Sequence, residues 1–313
     1  MKELKIEKMN IMKKLVIISS LIILAAISVK AQQLPLYSQY MMNGFLLNPA
    51  MAGSVEYTPI RLTARTQWVG INDAPKTFAI SGHTLFSNKK IGVGGYIYSD
   101  MFGPISRTGI QGAFAYHLPL DGMNSKLSFG ISMSGYQFRL DEKKLSTIEK
   151  NDPALSYGVE SHLLPDATFG MHLYNTQYFV GVSATQLFQF KVDVGKTDEN
   201  KMVRHYYALA GYKFNAGKEF EIEPSLMFKA TEVSPMQLDV NVKAYYLKNY
   251  WLGVSYRTND AIVAMLGVKV NQYYIGYAFD YTMSNIMDYS KGSHEILIGV
   301  NLGEDSNKGS RLL

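Results

Sequence analysis

The residue types able to do chemistry are present in this chain but scattered. Six histidines stand at positions 83, 117, 162, 172, 205 and 294. None has a spacing such as H-E-x-x-H, which would turn two imidazoles onto one metal ion. Gly92-Val93-Gly94-Gly95 is glycine-rich, but it lies inside an alternating segment and opens no helix. It is therefore no phosphate loop, and glycine there is expected to let neighbouring strands approach closely. Ser, His and Asp are too dispersed to single out a nucleophilic triad, and cysteine is absent. These features predict a non-enzymatic protein with no cofactor, no metal and no disulfides. One set of charged residues does stand apart. Arg61, Arg65, Asp239, Arg257, Asp280 and Glu295 all fall on the polar side of segments that alternate in character. In a closed barrel they face the lumen, and they are expected to form a charge network that fills and stiffens it rather than to line a solute path.

The elements that position these charges follow from periodicity. Side chains on a strand point to opposite faces with period two. Ile60, Leu62 and Ala64 alternate with Arg61, Thr63 and Arg65; Leu238, Val240 and Val242 alternate with Asp239, Asn241 and Lys243. Leu127, Phe129, Ile131 and Met133 alternate with the small residues Ser128, Gly130, Ser132 and Ser134. About fourteen such segments occur: 60–69, 76–86, 91–100, 105–117, 126–139, 166–175, 178–187, 204–214, 220–229, 236–246, 250–257, 261–270, 273–281 and 294–302. Short turns (87–90, 175–177, 215–218, 271–272) contrast with long connections at 140–165, 188–203 and 282–293. The pattern predicts an all-β, transmembrane antiparallel barrel with short periplasmic turns and longer external loops. An even strand number puts both termini on the periplasmic side. Closure is required because unpaired backbone in hydrocarbon costs several kcal/mol per group. Trp68, Tyr98, Tyr116, Tyr206, Tyr246, Trp251 and Tyr281 lie near segment ends, where aromatic girdles form.

The ends of the chain bear on compartment. Lys13-Lys14, a charge-free apolar run from Leu15 to Val29, and Ala31 before Gln32-Gln33 have the layout of a secretory signal peptide. The run is shorter than the roughly 20 residues of a spanning helix. The chain carries +5, but residues 1–31 hold six Lys and two Glu, and their removal leaves 25 basic against 24 acidic residues. A net charge of +1 offers no argument for nucleic acid. The expected organisation is a signal peptide at 1–31, an N-terminal periplasmic or plug segment at 32–59, a barrel at 60–302 and a tail at 303–313.

Residues 32–59 break the strand rhythm. They are too rich in aromatics and methionines for a solvated tail, and Asn48-Pro49 and Gly53 mark changes of direction. This segment also carries a family likeness. Pro35-x-Tyr37-Ser38-Gln39-Tyr40-Met41, followed by Asn48-Pro49-Ala50-x-Ala52-Gly53, resembles the N-terminal signature of the PorP/SprF membrane proteins. Arg61-Leu62-x-Ala64-Arg65-x-Gln67-Trp68 and Ser293-His294-Glu295-Ile296 are similar to that family's first and last strands. The resemblance implies an outer-membrane barrel of the type IX secretion system and gliding motility of Bacteroidota. It implies partners too: outer-membrane lipid, the C-terminal domain of a secreted surface protein such as a gliding adhesin, and other secretion subunits. It carries over Tyr37, Ser38, Gln39, Tyr40, Asn48, Pro49, Gly53, Arg61, Arg65, Gln67 and Trp68 as motif residues, available for packing, plug or partner contacts, and no catalytic residue. Two other readings stay open: a porin-like channel for small solutes, and a barrel-embedded lipid enzyme.

Overall fold

The computed structural model describes residues 37–145, 158–191 and 202–304; the signal-peptide reading of 1–31 and most of the 303–313 tail lie outside them. The described residues form strands β1 (Thr58–Thr66), β2 (Lys76–Leu85), β3 (Ile91–Phe102), β4 (Ile105–Leu120), β5 (Ser125–Asp141), β6 (Val159–Tyr174), β7 (Tyr178–Thr185), β8 (His205–Tyr212), β9 (Phe214–Ala216), β10 (Phe220–Thr231), β11 (Gln237–Tyr246), β12 (Tyr250–Arg257), β13 (Ala261–Val270), β14 (Tyr273–Thr282) and β15 (Ser293–Leu302). β8 and β9 continue one another across Lys213 in a single register against β10, so these fifteen pieces make fourteen barrel strands. Every neighbour pair is antiparallel, and β1 closes on β15 from Thr58↔Leu302 to Thr66↔His294.

Closure leaves no free rim of backbone within the apolar belt. The outer face is a continuous apolar surface: Leu62, Ile97, Ile110, Ile131, Val254, Leu266, Ile275 and Ile298 are all exposed. No described helix is long and apolar enough to cross a membrane; the strands do so.

Several boundaries differ from the sequence expectation. β1 ends at Thr66, so Gln67 and Trp68 belong to the first external loop, where Trp68 has a positive φ of 45°. β5 and β6 run on to Asp141↔Val159, which shortens the long 140–165 connection. β6 pairs with β7 only from Phe169↔Ala184 downward, so the β5–β6 hairpin rises above β7 on the external side, while β4 follows β5 up to Ile105↔Leu140. Tyr98 and Trp251 do not join a girdle. Tyr98 shares the inward parity of Asp100, and Trp251 is 2% exposed inside the barrel, whereas Tyr116, Tyr206, Tyr246 and Tyr281 point outward.

The lumen is occupied by the chain ahead of β1. Tyr37–Tyr57 folds inside the barrel, with three single-turn 3-10 helices at Tyr40–Met42, Gly44–Leu46 and Pro49–Met51. This explains why the inner face is not uniformly polar. Leu209, Met227, Val263, Met265 and Leu297 point inward and pack with Met41, Met42, Leu46 and Leu47 of the segment. Fully burying a side chain of that size stabilises by about 1.5–3 kcal/mol, a gain unavailable against lumenal water.

Candidate functional site in the barrel lumen

The charges predicted to face inward converge on the start of the lumenal segment. β1 contributes Arg65, β14 contributes Asp280 and β15 contributes Glu295, each near the external end of its strand. Arg65 Nη2 meets Asp280 Oδ2 at 2.8 Å, and Arg65 Nη1 lies 3.5 Å from Glu295 Oε2. Ser38 sits among them. Its hydroxyl donates to the Asp280 carboxylate (2.7–2.8 Å) and accepts from Arg65 Nη1 at 2.6 Å. The Glu295 carboxylate accepts the backbone N–H of Ser38 at 2.6 Å and of Gln39 at 2.8 Å. Arg257 extends the network, donating from Nε to Asp239 (3.1 Å) and from Nη1 to Asp260 (3.2 Å) and Asp280 (3.4 Å). A buried charge is tolerated only when paired and hydrogen-bonded, and this network supplies both conditions around two backbone N–H groups of the segment.

The rest of the motif is anchored lower in the lumen. Tyr40 Oη accepts from Asn241 Nδ2 at 2.8 Å. Asn48 caps the helix Pro49–Met51: its Oδ1 accepts from Ala50 N (2.9 Å), and Pro49 fills the first helical position, where its missing N–H costs nothing. Asn48 Nδ2 donates to the carbonyls of Met171 and Val182. Wall side chains then hold the segment's carbonyls: Ser183 on Leu47, Ser128 on Ala50 and His117 Nε2 on Ala52. Gly53, at φ +73°, donates its N–H to His83 Nδ1.

Sequence reasoning did not find this wall. Its signal was the run of small inward residues. A Cβ on Gly92 would lie 1.9 Å from Ala52 O, one on Gly130 2.2 Å from Ala50 N, and one on Gly170 2.0 Å from Asn48 Oδ1. Gly92 therefore admits the segment, which corrects the close-strand expectation there; at Gly94 a Cβ would meet His83 and Gly82 of β2 as well as Phe45, and at Gly95 the β4 backbone, so close strand approach holds at those two.

Two groups of motif residues stay out of the clasp. Arg61 lies toward the periplasmic end, bonded to Asn301 (2.6 Å) and placed over the Tyr274 ring. Gln67 and Trp68 brace the external loops: Gln67 N donates to Pro75 O and Trp68 N to Ser293 Oγ. His83 and His117 serve the segment, His205 bonds Gln186 and Val203, and His294 faces outward against Tyr277. No group of His, Cys, Asp and Glu able to hold a metal ion occurs among the described residues.

The chain is similar over the barrel to the Acinetobacter baumannii outer membrane protein Omp33 (10% identity, 79% of this chain and 98% of that one, TM-score 0.45). It is also similar to a Pseudomonas aeruginosa FadL homologue (10%, 81% and 91%, 0.46) and to the CymD monoaromatic hydrocarbon channel (12%, 83% and 91%, 0.47). No curated protein matches the chain. The family model described as type IX secretion system membrane protein PorP/SprF matches residues 29–300. The protein is thus an outer-membrane β-barrel that belongs to the PorP/SprF family of type IX secretion system membrane proteins.

Proposed function

We propose that this barrel is a non-enzymatic component of the type IX secretion system that supports export or cell-surface attachment of a secreted protein, such as a gliding adhesin. The observation that supports this reading is the occupied lumen. Tyr37–Tyr57 is clasped by the Arg65–Asp280–Glu295 network and packed against an apolar inner wall, an arrangement suited to a scaffold rather than a pore. The partners are then met by surfaces outside the lumen: the C-terminal domain of the secreted protein, other secretion subunits, and lipid around the apolar belt.

Deletion of the gene tests the role. Loss of one particular surface protein from the cell exterior, with its accumulation inside, is the expected result. Unchanged export and attachment of every such protein would sink the proposal. Planar-bilayer recording separates the solute-channel alternative, since a clasped lumen conducts little and steady conductance by the unmodified protein would favour that alternative.

A further inference from the structure

We propose that the external edge of β6, residues 159–165, docks an extended segment of the exported protein, which joins the barrel wall as one more antiparallel strand. The pairing of β6 carries this inference. On one side it is bonded to β5 along its whole length, from Asp141↔Val159 to Lys126↔Tyr174. On the other it meets β7 only from Phe169↔Ala184 to Tyr174↔Phe179. Ala167 O still accepts from Leu187 N at 3.1 Å, and Asp166 Oδ1 from Phe188 N at 3.2 Å. Beyond that point the chain after β7 turns away, with Gln186 and Gln189 at positive φ. Among the described residues no strand lies beside 159–165 on this side, so the edge stands open on the line that β7 would have continued.

Backbone parity determines what this edge offers. A residue in an antiparallel strand sends its N–H and C=O to the same side, and that side alternates along the chain. Ala167 sends its C=O toward β7, so Pro165, Leu163, Ser161 and Val159 also face the open side, while the even-numbered residues bond β5. Ser161 and Leu163 thus present both donors and acceptors, and Pro165 an acceptor, in the spacing of an antiparallel ladder. Pro165 has no N–H to leave unpaired, as suits a residue on an edge. Leu163 stands opposite Gln137 and Ser161 opposite Arg139, and all four are exposed. The stretch therefore rises past the apolar belt into water, which satisfies its backbone until a partner displaces it.

The side chains beside the edge are apolar. Leu163 is 79% exposed, the highest value among the described large apolar residues, and Phe188 and Phe190, both exposed, form an edge-to-face pair just past the end of β7. Main-chain bonds give an added strand its affinity and alternate side chains its specificity. The occupant that fits is an extended peptide with apolar residues at every second position. A second copy of this barrel does not fit. Spanning strands tilt by about 35–45°, so two barrels side by side in one membrane would cross their facing strands at about 70–90°, too far for a shared ladder. A strand arriving from outside the membrane has no such constraint. That this strand belongs to the exported protein rests on the function proposed above; that the edge takes a strand does not.

Amide deuterium exchange at Ser161 and Leu163 tests the edge, comparing the barrel purified in detergent with the barrel in outer membranes of the cells that make it. Both amides are expected to exchange about tenfold or more slowly in the membranes, where the added strand protects them. Leu163→Pro removes one N–H on the open side and sets a ring there without breaking a bond to β5, as Pro165 already does. It should return Ser161 to the purified rate, whereas Leu163→Ala, which keeps the backbone, should not. Should Leu163→Pro fail to assemble, Ser161→Pro makes the same comparison at Leu163. Equal exchange in the two preparations would overturn the proposal. So would slow exchange in the purified barrel, which would mean that this chain covers its own edge. Slowing that survives the proline would overturn it as well, pointing to a surface glycolipid. The two proposals fail separately. If deletion of the gene displaces no surface protein but the amides are protected, only the secretion role falls; if a surface protein is displaced but the amides are free, only the added strand falls.

Discussion

Asp280→Ala should release the lumenal segment while leaving the barrel closed. Asp280 accepts from Ser38 Oγ and from the guanidinium groups of Arg65 at 2.8 Å and Arg257 at 3.4 Å. Both arginine side chains are 1% exposed. Removing the carboxylate leaves Arg65 with the Ser38 hydroxyl at 2.6 Å and, as its one carboxylate, Glu295 at 3.5 Å, in a buried place. Breaking a buried pair by deleting one member costs about 3–5 kcal/mol, because the other charge stays buried. At about 1.4 kcal/mol per tenfold, even 3 kcal/mol shifts the docked-to-released ratio roughly 150-fold. Trp251 reports the event, being buried, stacked on Tyr274 and close to Gln39 at Gly276. In a Trp68→Phe background it is the only tryptophan, since the chain has two. Its emission should shift to the red in Asp280→Ala at denaturant concentrations far below those that unfold the barrel. The matched control is Lys89→Ala, which removes a 3.7 Å pair with Glu56 whose side chains are both more than 60% exposed; such pairs contribute about 0–1 kcal/mol. If Asp280→Ala behaves like Lys89→Ala, the network is not what holds the segment.

Other perturbations reach the segment by different routes. Gly130→Val and Gly170→Val place side chains where Ala50 and Asn48 now stand, so each should expel the segment and raise planar-bilayer conductance above that of the unmodified protein. Asn48→Ala removes a helix cap and two bonds to strand carbonyls and should lower segment stability by about 1–2 kcal/mol, read as an earlier Trp251 transition. Ser38→Ala retains both backbone bonds to Glu295 but loses the hydroxyl shared by Arg65 and Asp280. Its effect should therefore be smaller than that of Asp280→Ala in the same titration.

Strand parity was legible in the sequence because lipid imposes it from one side. Leu62, Val240 and Ile298 must be apolar whatever fills the barrel, and their alternation with Arg61, Asp239 and Glu295 located the inward charges without any structure. The inner face obeys no such rule. Met227 and Leu297 point inward beside Glu223 and Glu295, since each answers to whichever part of Tyr37–Tyr57 lies opposite, and that correspondence links positions up to 257 residues apart, as in Ser38 and Glu295. Single-residue periodicity cannot encode such a pairing. The same reasoning explains Trp68 and Trp251. Their type predicts an interface, but parity puts Trp251 inside with Gly253, Ser255 and Arg257, and β1 ends before Trp68.

The glycines record the same division most sharply. On an inward strand position, a small residue could mean a close neighbouring strand, an open lumen or a buried chain. Gly92, Gly130 and Gly170 stand at inward positions filled from across the lumen by Ala52, Ala50 and Asn48, whereas Gly112 and Gly135 share the outward parity of the lipid face, where a Cβ would meet nothing. A segment that seals the lumen thus imposes its shape on the wall one small residue at a time, while the clasp that fixes its direction rests on Arg65, Asp280 and Glu295. For this reason removing one carboxylate should free the segment without disturbing the strands that carry it.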